Sequence, residues 1–391
     1  MPSNLPLAAL KTIACRFAIL GDFLGAQPYG NGHINETFAA VFDQGGTELR
    51  YILQRINSHI FKEPLKLMEN VAHVTNHIRR KLEASGLQDT TRRVMTLVKT
   101  LEGADCHVDG EGCVWRCYLF VEGAKSYDII ASPAQAFQTA KAFGTFQRHL
   151  MDYDGPPLFE TIPRFHHTRD RFETLKLAVA GDRCNRAARV PQEIAFALAN
   201  EALADSLLAL KEKGELPERI THNDTKLNNV LLDDLTGEGM CVLDLDTVMP
   251  GLSLYDFGDM VRTATNPMAE DEPDVRKVSV QIPMFEALAK GYLEGMDGAL
   301  LPAERERLVL AGKLLTFECG VRFLTDFLNG DRYFNIHREN QNLDRCRTQF
   351  ALLRSMAECE ERLTTFVQSL GEAEVFANRN VETANDANER Q

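Results

Sequence analysis

The residues best suited to chemistry lie in the run THNDTKLNNVLLD, where His222, Asp224 and Asn229 stand at His-x-Asp-x-x-x-x-Asn spacing. That set suits transfer of a phosphoryl group onto a hydroxyl. Such a reaction needs a carboxylate to orient or deprotonate the attacking oxygen, oxygen ligands for magnesium, and donors for the phosphates. One short loop between two strands delivers the first two, with Asp224 as the base and Asn229 as a metal ligand through its amide oxygen. An apolar strand follows, and then a second apolar-plus-acid segment, CVLDLD. The bland alternative is a polar turn between two buried strands; the downstream acid at a matching distance argues against it.

The next stretch, LDLDTVMPGLSLYDFGD, holds four aspartates and spells Asp-Phe-Gly near its end, the tripeptide that holds magnesium in protein kinases. The literal match is misleading. Asp244 follows CVL at the end of a strand, 20 residues beyond Asp224, whereas Asp256 lies 32 beyond. Asp244 is therefore the expected metal ligand. Asp246, two residues on, is a second ligand or a supporting residue. Asp256 falls in what reads as the first turn of a helix, where a carboxylate can accept backbone N–H groups. Asp256 and His222 are expected to brace the catalytic loop.

Donors for the phosphates are sought near the start. In YGNGHINETF, Gly30 and Gly32 lie between two expected strands, and a Gly-x-Gly turn lets backbone N–H groups approach phosphate closely. His33, Asn35 and Thr37 add side-chain donors, with His33 either facing substrate or an ordinary surface histidine. The kinase layout places a cation on the third strand, paired with a helix glutamate. YILQRIN offers Arg55, whose guanidinium binds phosphate in a forked geometry, with Glu69 as its expected partner. Gln54 competes for the pocket-facing position, because adjacent strand residues face opposite ways. The segment around Glu122 is the expected link whose backbone meets adenine.

These residues need a scaffold, and the pattern is α+β. RFAILGDFLGAQ, ETFAAVFDQGG and ELRYILQRIN read as strands, with QGGTE as a hairpin turn. FKEPLKLMENVAHVTNHIRRKLEASG reads as a helix with Leu67, Val71, Val74, Ile78 and Leu82 on one face. VMTLVKTLEG and CVWRCYLFVEG read as two more strands. Helices are expected from Ser132 onward, at about 169–180, 191–214, 274–295, 302–328 and 342–369, interrupted by the β-like catalytic segment. The expected organisation is a β-rich nucleotide-binding lobe over 1–122, a helical catalytic and substrate-binding lobe over 123–370, and a disordered tail over 371–391.

A net charge of -13 gives no basic field for nucleic acid. No apolar run is long enough to span a membrane, and the N-terminus lacks the pattern of a signal peptide. Nine cysteines without a framework fit a reduced, cytoplasmic protein. His73 and His77 are spaced for a metal pair but have no adjacent third ligand. His166-His167 reads as a loop pair near the cleft.

The quoted motifs, with VLDLDTVMPG and RFLTDFLNGDRYF, resemble the aminoglycoside phosphotransferase-like branch of the protein-kinase fold. Within that branch the chain looks most like the N-acetylhexosamine 1-kinases, over about residues 20–350. The resemblance implies a bilobal fold, ATP with Mg2+, and phosphorylation of the anomeric hydroxyl of N-acetylglucosamine or N-acetylgalactosamine. It assigns Asp224 as base, Asn229 and Asp244 as magnesium ligands, and Arg322 as a sugar-binding residue. Thr263 departs from the aromatic that those sugar kinases tend to carry. Asn223 stands where protein kinases usually have arginine, and only residues 245–255 separate Asp244 from Asp256. That is too little chain for a segment that docks a peptide and orders on phosphorylation, so a small-molecule substrate is expected. The acidic run NPMAEDEPD keeps a cationic substrate, an aminoglycoside or a choline-like amino alcohol, as the alternative.

Overall fold

The computed structural model describes residues 5–30 and 34–371. In chain order these begin with α1 (Leu7–Ala14), β1 (Asp22–Pro28), β2 (Glu36–Asp43), β3 (Glu48–Arg55), α2 (Pro64–Ala84), α3 (Thr90–Arg93), β4 (His107–Val108), β5 (Val114–Leu119) and β6 (Ala124–Lys125). Next come α4 (Pro133–Leu150), α5 (Thr168–Gly181), α6 (Pro191–Ala199), α7 (Ser206–Glu212), β7 (Arg219–Thr221), β8 (Val230–Asp233), β9 (Gly239–Val242) and β10 (Met249–Gly251). The chain continues with α8 (Ser253–Ala264), α9 (Ile282–Met296), α10 (Pro302–Arg305), α11 (Leu308–Leu328) and α12 (Gln341–Glu358), and residues 360–371 are again helical.

The chain divides into two compact units. The first comprises the described residues up to Ser126, with His149–Phe165 and Asn229–Pro250; the second takes Tyr127–Arg148, His166–Asn228 and the described residues from Gly251. The division is thus interleaved along the chain, whereas the sequence suggests one break near residue 122.

The first unit is built on an antiparallel sheet of order β1-β2-β3-β5-β4. Strand alternation puts Phe38, Ala40 and Phe42 of β2 on one face, where they meet Tyr51, Leu53, Trp115 and Cys117 in a buried cluster. Gly45 and Gly46 both take positive φ in the β2–β3 turn, which only glycine adopts at no steric cost, and Asp43 accepts the Gly46 N–H at 2.7 Å. Leu10 and Ala14 of α1 complete the cluster. That helix was not expected, and the strand expected over VMTLVKTLEG is instead irregular, touching its neighbours through isolated bridges at Leu97 and Thr100.

The second unit is helical. Its main core joins Phe172 and Leu175 of α5, Phe317, Val321 and Leu324 of α11, and Phe350 and Leu353 of α12. Helices α8 and α11 approach backbone to backbone. A Cβ on Gly258 would lie 2.4 Å from the Ala311 carbonyl oxygen, and one on Gly312 would lie 2.8 Å from Val261. Two expected helices are broken: 191–214 becomes α6, a 3₁₀ turn and α7, and 302–328 splits into α10 and α11. Helix α9 starts only at Ile282, with Pro283 in its first turn, where a missing N–H costs nothing. No helix among the described residues is long and apolar enough to cross a membrane. All nine cysteines are free.

Candidate active site

In the second unit the expected catalytic loop leaves β7 and turns sharply at Asn223, whose φ is +64°. Asp256, in the first turn of α8 and fully buried, holds that turn. Its two carboxylate oxygens accept the N–H groups of His222 at 2.9 Å and Asn223 at 2.7 Å. Gln147 donates to the same carboxylate, and Tyr292 donates to Gln147 at 2.7 Å. Thr225 closes the loop onto the Asp256 carbonyl at 2.6 Å. Burial pushes the Asp256 carboxyl up, against the pull of His222 and the two backbone N–H groups. His222 is itself buried, with the rings of Phe143 and Phe146 edge-on at 5.3 and 5.8 Å.

Asp224 follows directly. Burial works against its charged form, but the Lys226 ammonium at 2.8 Å, with His222 and Arg262, holds its carboxyl below the ordinary range. It is a carboxylate at neutral pH. Arg262 is fixed by Asp259 at 2.7 Å and by Glu270 at 2.9 Å.

A second set of groups reaches the loop from the other side of the turn. His166 is buried with Nε2 at 2.9 Å from the Asn223 carbonyl and Nδ1 at 2.8 Å from Glu318 of α11. Thr168 donates to the other Glu318 oxygen at 2.6 Å. The sequence marks this histidine only as one of an adjacent pair. His167, its neighbour, instead caps α5 by accepting the Asp170 N–H.

One turn beyond Glu318, Arg322 lines a cavity of about 210 Å³ with Arg171, Thr325, Asn329, Tyr333 and Phe334. Its guanidinium lies 5.4 Å from the Phe334 ring and 5.9 Å from that of Tyr333. Asp326 shapes this corner by accepting the N–H groups of Arg332, Tyr333 and Phe334 at 2.8–2.9 Å. Burial and the like charge of Arg322 lower the pKa of Arg171.

In the first unit, the β8–β9 hairpin pairs Val230 with Val242, and the Leu243 N–H donates to the Asn229 carbonyl at 2.8 Å. This register brings Asn229 and Asp244 to the same end of the hairpin. Asp244 takes a left-handed φ of +55°. One neutral and one anionic oxygen donor make a set that suits magnesium, which prefers few protein oxygens plus substrate phosphate.

Asp246 is committed elsewhere. It is buried in an ion pair with Arg116 of β5 and also accepts from Asn35 at 2.5 Å. The sequence marks Arg116 only as a lone charge inside the apolar strand VWRCYL. Gln54, opposite Arg116 in the sheet, accepts from it at 3.0 Å and donates to Thr37 at 2.9 Å. Arg55 faces the other way and pairs with Glu36. The expected Arg55–Glu69 pair is therefore corrected: Glu69 sits on an exposed face of α2, between the buried Met68 and Asn70. Glu122, in the connection from β5 to β6, pairs with Arg50 and is largely exposed. Gly30 takes φ +77° with open space around it. Gly32 and His33 lie outside the described residues. His77 bonds the His149 carbonyl at 3.0 Å, and the described residues hold no cluster of three or more His, Cys, Asp or Glu able to bind a metal.

A family model described as phosphotransferase enzymes matches residues 25–299. Among solved structures, an aminoglycoside phosphotransferase from Alicyclobacillus acidocaldarius is similar with TM-score 0.54 and 15% identity, over 95% of this chain and 97% of that one. A spectinomycin phosphotransferase in complex with ADP and spectinomycin gives TM-score 0.56 and 13% identity, over 89% and 98%. A choline/ethanolamine kinase family protein from Mesorhizobium loti gives 0.51 and 19%, over 92% and 99%. The shared architecture is the protein-kinase-like α+β fold.

Proposed function

Since the chain belongs to the phosphotransferase enzyme family, we propose that it transfers the γ-phosphoryl group of ATP to the anomeric C1 hydroxyl of an N-acetylhexosamine, GlcNAc or GalNAc. Asp224 orients the attacking hydroxyl and accepts its proton as the O–P bond forms. Its low basicity suits a loose transition state, in which that proton leaves late and positioning carries much of the rate. Asn229 and Asp244 would hold magnesium, which when bound neutralises charge on the phosphates. Gly30 and Gly32 hold the phosphate chain, and the segment at Glu122 meets adenine. Arg116 keeps the stretch after Asp244 in place by burying Asp246. Arg322 and His33 bind the sugar.

The observation that carries this reading is the Arg322 cavity. It is smaller than the roughly 300–1,000 Å³ that a drug-sized ligand takes, and suits a single small molecule. Its guanidiniums and amide offer donors to hydroxyl and carbonyl oxygens, beside aromatic walls. Its one carboxylate, Asp326, is engaged by three backbone N–H groups.

The similar structures include enzymes named for aminoglycosides and for choline or ethanolamine, so a cationic alcohol is the second reading. A cation would need free acids, and the acidic run 266–274 offers few. Glu270 is paired with Arg262, Asp271 with Arg338, Glu272 with Lys277 and Asp274 with Arg276. The test is ATP consumption across N-acetylhexosamines, neutral hexoses, aminoglycosides and choline. The N-acetylhexosamines should be the best acceptors, and blocking C1 as the methyl glycoside should abolish turnover. Phosphorylation of the glycoside, or preference for a cation, overturns the proposal.

A further inference from the structure

We propose that His166 is a positioning residue, tying the carbonyl of Asn223, and through it Asp224, to Glu318 of α11. The inference rests on the reading of Asp224 as the base. The geometry fixes the contact and the proton on Nε2, and the charges around the pair bear on Nδ1. The partner of Nε2 is a backbone carbonyl, which can only accept, so Nε2 must carry a proton. The partner of Nδ1 is a Glu318 oxygen, and the other oxygen of that carboxylate already accepts from Thr168. The Glu318 carboxyl is held below its ordinary range, against burial, so it is a carboxylate and Nδ1 donates to it. His166 is then an imidazolium, buried together with its counter-charge.

The surroundings agree. Burial alone pulls the imidazole down, but the Glu318 charge and hydrogen bond, then the Asn223 carbonyl and the Asp259 carboxylate, raise it above the ordinary value. The Glu318 carboxyl is held low, against burial, by His166 first, then by Arg322 and Thr168. From α8 the ring of Tyr255 packs on the imidazole at 5.1 Å. The charged groups bearing on the pair are therefore Glu318 and Arg322 on α11, Asp259 on α8 and Arg171 on α5.

Asn223 is where this matters: its φ of +64° is left-handed, a region asparagine enters more readily than most residues, and its side chain accepts from the Thr221 hydroxyl locally at 2.9 Å. Asp256 grips its N–H and His166 grips its carbonyl, so the two peptide units that flank Asn223 are both held just before Asp224. Loss of the His166 proton at alkaline pH removes one donor and leaves Glu318 buried without its counter-cation. The expected result is a decline in turnover as pH rises through the raised value.

The experiment uses the full chain with His166→Gln, which keeps an N–H for Asn223 but no charge, and His166→Ala, which keeps neither. Asp224→Asn runs in parallel. Histidine-¹⁵N NMR at about pH 7.5, above the ordinary imidazole value of about 6.5, should show one imidazole with both nitrogens protonated, lost in His166→Gln. In kinetics, His166→Ala should lower kcat about 10–100-fold while KM for ATP stays within about threefold, as expected for a misplaced catalytic group. His166→Gln should lose less and show no alkaline decline. A neutral tautomer for His166 overturns the proposal, as does an unchanged kcat per folded molecule in His166→Ala when Asp224→Asn is impaired; the latter leaves the base assignment standing. Near-wild-type turnover in Asp224→Asn overturns both, since the clamp would then position no base.

Discussion

The guanidinium of Arg116 is buried against the carboxylate of Asp246, both side chains 3% exposed or less. Removing one partner of such a pair strands a charge in the interior. Arg116→Met is expected to cost about 3–5 kcal/mol, and Arg116→Met with Asp246→Leu much less, since the second change removes the stranded charge. Urea unfolding of the three proteins checks this. A single variant within about 1 kcal/mol of wild type would show that the pair is solvated in solution.

Asp224→Asn keeps the size and the neighbours of the side chain but not its basicity or charge. Turnover should fall by roughly 10²–10⁴-fold, the usual weight of a positioned general base. Single-turnover rates with saturating ATP measure it. Nucleotide binding, followed by a fluorescent ATP analogue, should be little changed.

Asp233 gives an acid-side signature. The N–H groups of Thr236 and Leu235, with Arg92, hold its carboxyl down at about 2. A folded value below the unfolded one, about 3.9, means that stabilisation is fully present above the unfolded value and is lost as pH falls toward the folded one. The difference in urea midpoint between wild type and Asp233→Asn should be constant near neutrality and shrink between about pH 4 and 2. A difference that persists undiminished at pH 2 contradicts the assignment.

Gly258→Ala places a methyl 2.4 Å from the Ala311 carbonyl oxygen, a backbone atom that cannot swing away. Overpacking of this kind costs about 1–3 kcal/mol. The helix that must shift carries Asp256, so loss of turnover should accompany the loss of melting temperature. Unchanged thermal stability would mean that α8 and α11 sit further apart.

The parts legible in the sequence were those with strong local patterns. The β2–β3 hairpin announced itself through alternation and two glycines, and α2 through a periodic apolar face running from Leu67 to Ile78. The α+β class followed from the change of pattern after residue 123. Arg116 is hidden in the sequence because a buried arginine is recognisable only by its partner, and Asp246 lies 130 residues away. Strand position favours Arg55 as the pocket cation, yet alternation turns it away from Gln54 and onto Glu36. His166 looked like half of a loop pair, since its partners on α11 and in the catalytic loop are distant in sequence. The helix breaks near Asn200 and Glu306 were hidden because the apolar periodicity runs through both.

Glu318 and Arg322 stand four residues apart on α11, on one face of the helix. One holds the histidine that grips the catalytic loop; the other opens into the small cavity. On the proposed reading, a shift of that turn that carries Arg322 toward the acceptor would carry Glu318 with it, and so would bear on the alignment of Asp224. An ill-fitting acceptor is then expected to be a slow one, and not merely one that is weakly held.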